Sequence, residues 1–124
     1  MTDSIEALAT GIQGFDLIAL GGVPRGRATV VSGTPGSGKT IFATHFLAGG
    51  ALNGEGGVFV TFQESPSDIR RNVASLGWDI AGWEKARRWA FVDASTITPD
   101  ALDALLANIR QVTRHVAARR LVVD

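Results

Sequence analysis

A chain of 124 residues has room for one small domain and not for two. Its 12 Lys and Arg balance its 12 Asp and Glu, which argues against a protein that holds nucleic acid on a broad basic surface through counterion release. Hydrophobic residues make up 45% of the sequence, enough for a packed core, and the absence of cysteine removes disulfides, thiolate metal sites and cysteine nucleophiles together. Residues 1–27 read as a turn-rich lead-in punctuated by Gly11, Gly14, Gly21, Gly22, Pro24 and Gly26. Ala28-Thr29-Val30-Val31-Ser32 is short, apolar and β-branched, as a parallel strand buried on both faces would be. A glycine-rich loop follows, then a helix from about Lys39 to Ala51, ended by Asn53-Gly54.

Gly57-Val58-Phe59-Val60-Thr61-Phe62 predicts a second buried strand, with Gln63-Glu64 at its tip. Ser65-Pro66-Ser67-Asp68 is a strong helix start, with Ser65 as N-cap, Pro66 at the first position and Asp68 near the positive end of the dipole. That helix is expected to reach about Leu76 and stop at Gly77. A shorter helical piece around 80–88 leads into a third strand, Ala90-Phe91-Val92. Thr98-Pro99-Asp100 opens a further helix whose buried stripe is expected to be Leu102, Leu105, Leu106, Ile109, Val112 and Val116. Leu121-Val122-Val123 is the fourth strand. Strands and helices alternate, so an α/β fold with a parallel sheet flanked by helices is expected. No apolar run approaches the roughly 18 residues that span a bilayer, and the first residues lack the basic region of a secretory signal, which favours a cytoplasmic protein.

Gly33-Thr34-Pro35-Gly36-Ser37-Gly38-Lys39-Thr40 fits the phosphate-binding pattern G-x-x-x-x-G-K-[ST] at every fixed position and lies between a predicted strand and a predicted helix. Glycines let the backbone curl so that consecutive N–H groups face phosphate oxygens, and the helix behind them adds its positive end. In such a loop Lys39 neutralises the β- and γ-phosphates and the Thr40 hydroxyl ligates Mg²⁺. The implied ligands are ATP and Mg²⁺.

With that loop in place, the chain resembles the KaiC family of RecA-type ATPases. The similarity is carried by Thr10-Gly11-Ile12-Gln13-Gly14-Phe15-Asp16, Gly21-Gly22-Val23-Pro24-Arg25-Gly26-Arg27, Val31-Ser32-Gly33 and Gly57–Phe62. It continues through Asp68-Ile69-Arg70-Arg71-Asn72, Ser75-Leu76-Gly77-Trp78-Asp79 and Phe91-Val92-Asp93-Ala94-Ser95. It is nearer to the first of KaiC's two tandem ATPase domains.

The resemblance implies a P-loop NTPase with a RecA-like sheet. Leu121-Val122-Val123-Asp124 matches the Walker B pattern, in which the terminal aspartate holds Mg²⁺. Gly36, Ser37, Gly38 and Ile41 come with the phosphate loop as nucleotide contacts, beside Gly33, Thr34, Lys39 and Thr40, and Ser75 matches a family position that contacts nucleotide. The family ends its second strand in two glutamates, one of which is the base for the attacking water. Here those positions are Gln63 and Glu64, and an amide orients a water without taking its proton. The resemblance further implies a homo-hexameric ring in the full-length protein, signalling or clock partner proteins, and no autokinase site within this chain. In such sheets the strand after Walker B lies between the P-loop and Walker B strands. The 124 residues therefore read as an incomplete ATPase domain, with residues 1–27 as lead-in and 28–124 as the P-loop core through Walker B. Two other functions compete with an ATPase: a module that binds nucleotide without hydrolysing it, suggested by Gln63, and a RadA-like DNA recombinase, which zero net charge disfavours.

Overall fold

The computed structural model describes residues 7–12, 16–17, 21–24 and 38–124. The strand expected at 28–32 and the loop residues Gly33, Thr34, Gly36 and Ser37 lie outside the described residues. Two short strands of the lead-in, β1 (Ala7–Leu8) and β2 (Val23–Pro24), pair antiparallel. Helix α1 (Lys39–Leu52) follows, then β3 (Gly56–Thr61), α2 (Pro66–Ala74), α3 (Ile80–Lys85) and β4 (Trp89–Asp93). A 3-10 turn at Pro99–Ala101 precedes α4 (Leu102–His115) and β5 (Ala118–Val123). Strand β3 lies between β4 and β5 and runs parallel to both, which is the expected α/β arrangement.

Side-chain alternation along β3 divides the core in two. Phe59 points to one face, where it meets Leu47 and Ala48 of α1, Ile69 and Val73 of α2, Ile80 of α3 and Trp89 of β4. Val58 and Val60 point to the other, against Val92, Ala94, Leu105 and Val116. All four helices supply apolar residues to the face they cover, and each fully buried large side chain contributes roughly 1.5–3 kcal/mol. Aromatic rings tie the first core together: Trp83 stacks on Trp89 at 5.8 Å between centroids, and Phe59 lies 5.6 Å from Phe91.

Helix boundaries follow local chemistry. The Ser65 hydroxyl accepts the Asp68 N–H at 3.2 Å, and the Asp79 carboxylate accepts the Gly82 N–H at 3.0 Å. The α4 stripe differs from expectation. Leu105 and Val116 are buried and Ile109 and Val112 half-buried, but Leu102 and Leu106 are 53% and 42% exposed. Helix α4 packs on Val58, Val60 and Val92, so residues on its flank find no sheet beneath them. Leu121 and Val123 of β5 are also exposed; they share a face with Val58 and Val60, on the outer strand of the sheet among the described residues.

The β3–β5 ladder carries one irregularity. Gly56 pairs with Ala118 but Gly57 pairs with Arg120, so Arg119 is an extra residue in β5. A one-residue slip exchanges the faces of a strand. Here it turns Arg120 inward toward α1 and leaves Arg119 exposed. The lead-in is organised by Asp16, whose carboxylate accepts the Thr10 hydroxyl at 2.7 Å and the N–H groups of Thr10 and Gly11. Partial burial opposes ionisation of Asp16, but these hydrogen bonds and the charge of Arg120 outweigh it and hold its carboxyl below the usual range.

Candidate functional site

The site forms where the N-terminus of α1 meets the C-terminal ends of β3 and β5. Gly38, with φ 90°, occupies the left-handed region that glycine alone adopts without steric cost, and it turns the chain into α1. No side chain caps this helix start and its first turn holds no acid. Its leading N–H groups therefore carry a positive partial charge that no described side chain caps. Lys39 and Thr40 are the first two helical residues, both half-buried. The Thr44 hydroxyl donates to the Thr40 carbonyl at 2.7 Å and stiffens this turn.

Asp124 is fixed through its own backbone. Its N–H donates to the Val60 carbonyl at 2.9 Å, and its carbonyl accepts the Phe62 N–H at 2.7 Å. Strand alternation places its side chain on the face of Arg120 and Val122, toward α1. There Oδ2 accepts a hydrogen bond from Thr40 Oγ1 at 2.9 Å, joining residues 84 positions apart. The two residues expected to hold magnesium are thus brought together.

This pair suits a small hard cation. With its proton committed to Asp124, the Thr40 oxygen keeps its lone pairs for a ligand, and hydroxyl and carboxylate oxygens are the donors that Mg²⁺ favours. Among the described residues no cluster of three or more His, Cys, Asp or Glu side chains could hold a metal. A cation at Thr40 and Asp124 would complete its shell with phosphate and water oxygens, as Mg²⁺ in nucleotide sites does.

Gln63 and Glu64 lie just past the end of β3, on the same edge of the sheet as Asp124. The buried Thr61 hydroxyl donates to the Glu64 carbonyl at 2.7 Å and fixes the turn. The Glu64 carboxylate accepts a long hydrogen bond from Asn72 Nδ2 of α2 at 3.4 Å, while the Gln63 side chain is exposed. Ile41 is exposed on the first turn of α1. Ser75 is the exposed C-cap of α2. At the neighbouring strand end, the Ser95 hydroxyl and N–H hold the Asp93 carboxyl below its ordinary range.

Three residues of this region carry no role in the sequence reading: Thr61, Asn72 and Arg120. Thr61 is signalled only as the polar residue in an otherwise apolar strand, and Arg120 only as the cation preceding Leu121. Arg120 is nonetheless 4% exposed.

Residues 8–124 match the family model described as the KaiC ATPase. Circadian clock protein KaiC3 of Synechocystis sp. is 49% identical over 131 residues, covering 99% of this chain and 26% of that protein. Circadian clock oscillator protein KaiC of Parasynechococcus marenigrum is 42% identical, covering 97% of this chain and 25% of that protein. A UPF0273 protein of Methanopyrus kandleri is 38% identical, covering 98% of this chain and 54% of that protein. The chain therefore spans about a quarter of the length of the clock relatives.

Proposed function

The chain belongs to the KaiC family of ATPases, and on that premise we propose that it binds ATP with Mg²⁺ where α1 meets β5 and hydrolyses it. The observation that carries this reading is the 2.9 Å hydrogen bond from Thr40 to Asp124, which joins the last residue of the phosphate-loop motif to the Walker B aspartate. Gly33, Thr34, Gly36, Ser37 and Gly38 supply the N–H cradle, and Lys39 brings its ammonium to the β- and γ-phosphates. Thr40 and Asp124 hold the cation. The Mg²⁺ that these two residues would hold would supply neutralisation of the charge that builds on the phosphoryl oxygens.

Glu64 takes the proton of the water that attacks the γ-phosphorus as the bond to the departing ADP breaks, and Gln63 orients that water through its amide. Ile41 and Ser75 complete the nucleotide contacts. In the intact protein this domain works in a homo-hexameric ring, with residues 1–27 as lead-in and 28–124 as the P-loop core. The clock roles in the names of KaiC3 and KaiC support a signalling or timekeeping role for the whole protein. Gln63 supports a second reading, a module that binds nucleotide without turning it over. Steady-state phosphate release from the intact protein separates the two. Turnover that Lys39→Ala abolishes supports the ATPase, and Mg²⁺-dependent ATP binding without turnover supports the module.

A further inference from the structure

Arg120 sits inside the molecule on β5, four residues before Asp124. Its Nη1 donates to the Phe46 carbonyl of α1 at 2.7 Å and to the Ala9 carbonyl of the lead-in at 2.7 Å. Its Nη2 pairs with Glu55 Oε1 at 3.1 Å, and the guanidinium lies 4.7 Å from the centre of the Phe46 ring. Phe46 comes six residues after Thr40. The strand and helix are therefore joined twice, at Thr40–Asp124 and again at Phe46–Arg120. The second joint lies about 9 Å along the helix and about 13 Å along the strand from the first. One cross-link lets two elements slide and pivot, whereas two remove both freedoms.

The geometry points to Arg120 as a positioning residue for the cation pair: by bonding the Phe46 carbonyl, it sets the approach of Thr40 to Asp124. The inference rests on the magnesium reading of that pair. A planar, permanently charged fork suits the task, because one group bonds two carbonyls and a carboxylate without changing its protonation. The seat for the fork is built by Gly50. A Cβ there would lie 2.8 Å from Arg120 Cδ and 2.9 Å from Nε, closer than real contacts allow. The same ladder irregularity that turns Arg120 inward spends one residue of β5 on placing it.

Gly50→Ala provides the test, because alanine favours the helix while its methyl displaces the guanidinium. In the intact protein, ATP binding is titrated against Mg²⁺ and measured again in its absence. The expected result is at least a fivefold rise in half-saturating Mg²⁺, with metal-free ATP affinity within twofold. Arg120→Lys, which keeps the charge but not the fork, should shift the Mg²⁺ midpoint in the same direction. Glu55→Gln, which leaves both carbonyl bonds, should stay within twofold of wild type. An unchanged Mg²⁺ midpoint in Gly50→Ala and Arg120→Lys overturns the proposal. So does a parallel loss of metal-free affinity, or an equal shift in Glu55→Gln. Wild-type ATP binding that ignores Mg²⁺ would remove the magnesium reading itself, and that failure is visible before any substitution.

Discussion

Thr61 reaches past the end of its own strand to hold Glu64, its buried hydroxyl donating to the Glu64 carbonyl at 2.7 Å. The carboxylate proposed to accept the water's proton is thus tied by its backbone to the strand that also brackets Asp124. Replacing the hydroxyl with a methyl of similar size leaves that carbonyl without its buried donor. Thr61→Val should cost about 1–2 kcal/mol in urea unfolding. It should lower phosphate release at least threefold while ATP affinity changes less than twofold, and a loss confined to affinity would refute the positioning role.

The Gln63-Glu64 pair yields a gain-of-function prediction. A positioned general base is worth roughly 10²–10⁴ in rate, and an amide supplies none of that. Gln63→Glu should raise phosphate release tenfold or more, and Glu64→Gln should lower it by a similar factor. Turnover in Glu64→Gln equal to wild type would show that Glu64 takes no proton.

Asp16 gives the lead-in an acid-sensitive anchor. Its carboxyl is held below the ordinary range in the folded chain, so the unfolded chain takes up the proton first as pH falls. The stabilisation is full above about pH 4 and is lost as pH drops through the lowered native value. Chemical denaturation from pH 6 to pH 2 should reveal this loss, and Asp16→Asn should be less stable at pH 6 with a flatter profile. An unchanged profile in Asp16→Asn would exclude it as the source.

Arg70 and Glu84 join α2 to α3 through two parallel hydrogen bonds at 2.6 and 2.8 Å, with the guanidinium 5.0 Å from the Phe91 ring centre. The hydrogen bond to Glu84 raises the arginine above its usual value. Solvent reaches both side chains, 36% and 27% exposed, so the pair is screened. A double-mutant cycle with Arg70→Met and Glu84→Gln should give a coupling of about 0.5–1 kcal/mol, diminished in 1 M salt. A coupling indistinguishable from zero at low salt would refute the staple.

Much of the described architecture was legible because its signals are local. Ser65-Pro66 starts α2 as its local chemistry predicts, and the apolar β-branched run expected at 57–62 forms the buried strand Gly56–Thr61, with Phe62 40% exposed just beyond it. Asp124 was legible by motif, and its partner Thr40 by a second motif far upstream. Arg120 was not legible, because its burial depends on a register slip between strands distant in sequence, and no window around 118–123 contains that information. Leu102 and Leu106 went astray for a related reason: helical periodicity identifies an apolar face, but only the sheet beneath decides how much of it is covered.

The order of strands also bears on how the chain assembles as it leaves the ribosome. β3 pairs with β5 through Gly57 and Arg120, which are 63 residues apart. At roughly 5–20 residues per second, about 3–13 s separate the emergence of the two partners. β3 and β4 can pair during that interval, but Thr40 must wait for Asp124. A nascent chain able to grip Mg²⁺ at this pair has already joined β5 to β3 and α1, so metal-dependent nucleotide capture doubles as a report that these distant partners have met.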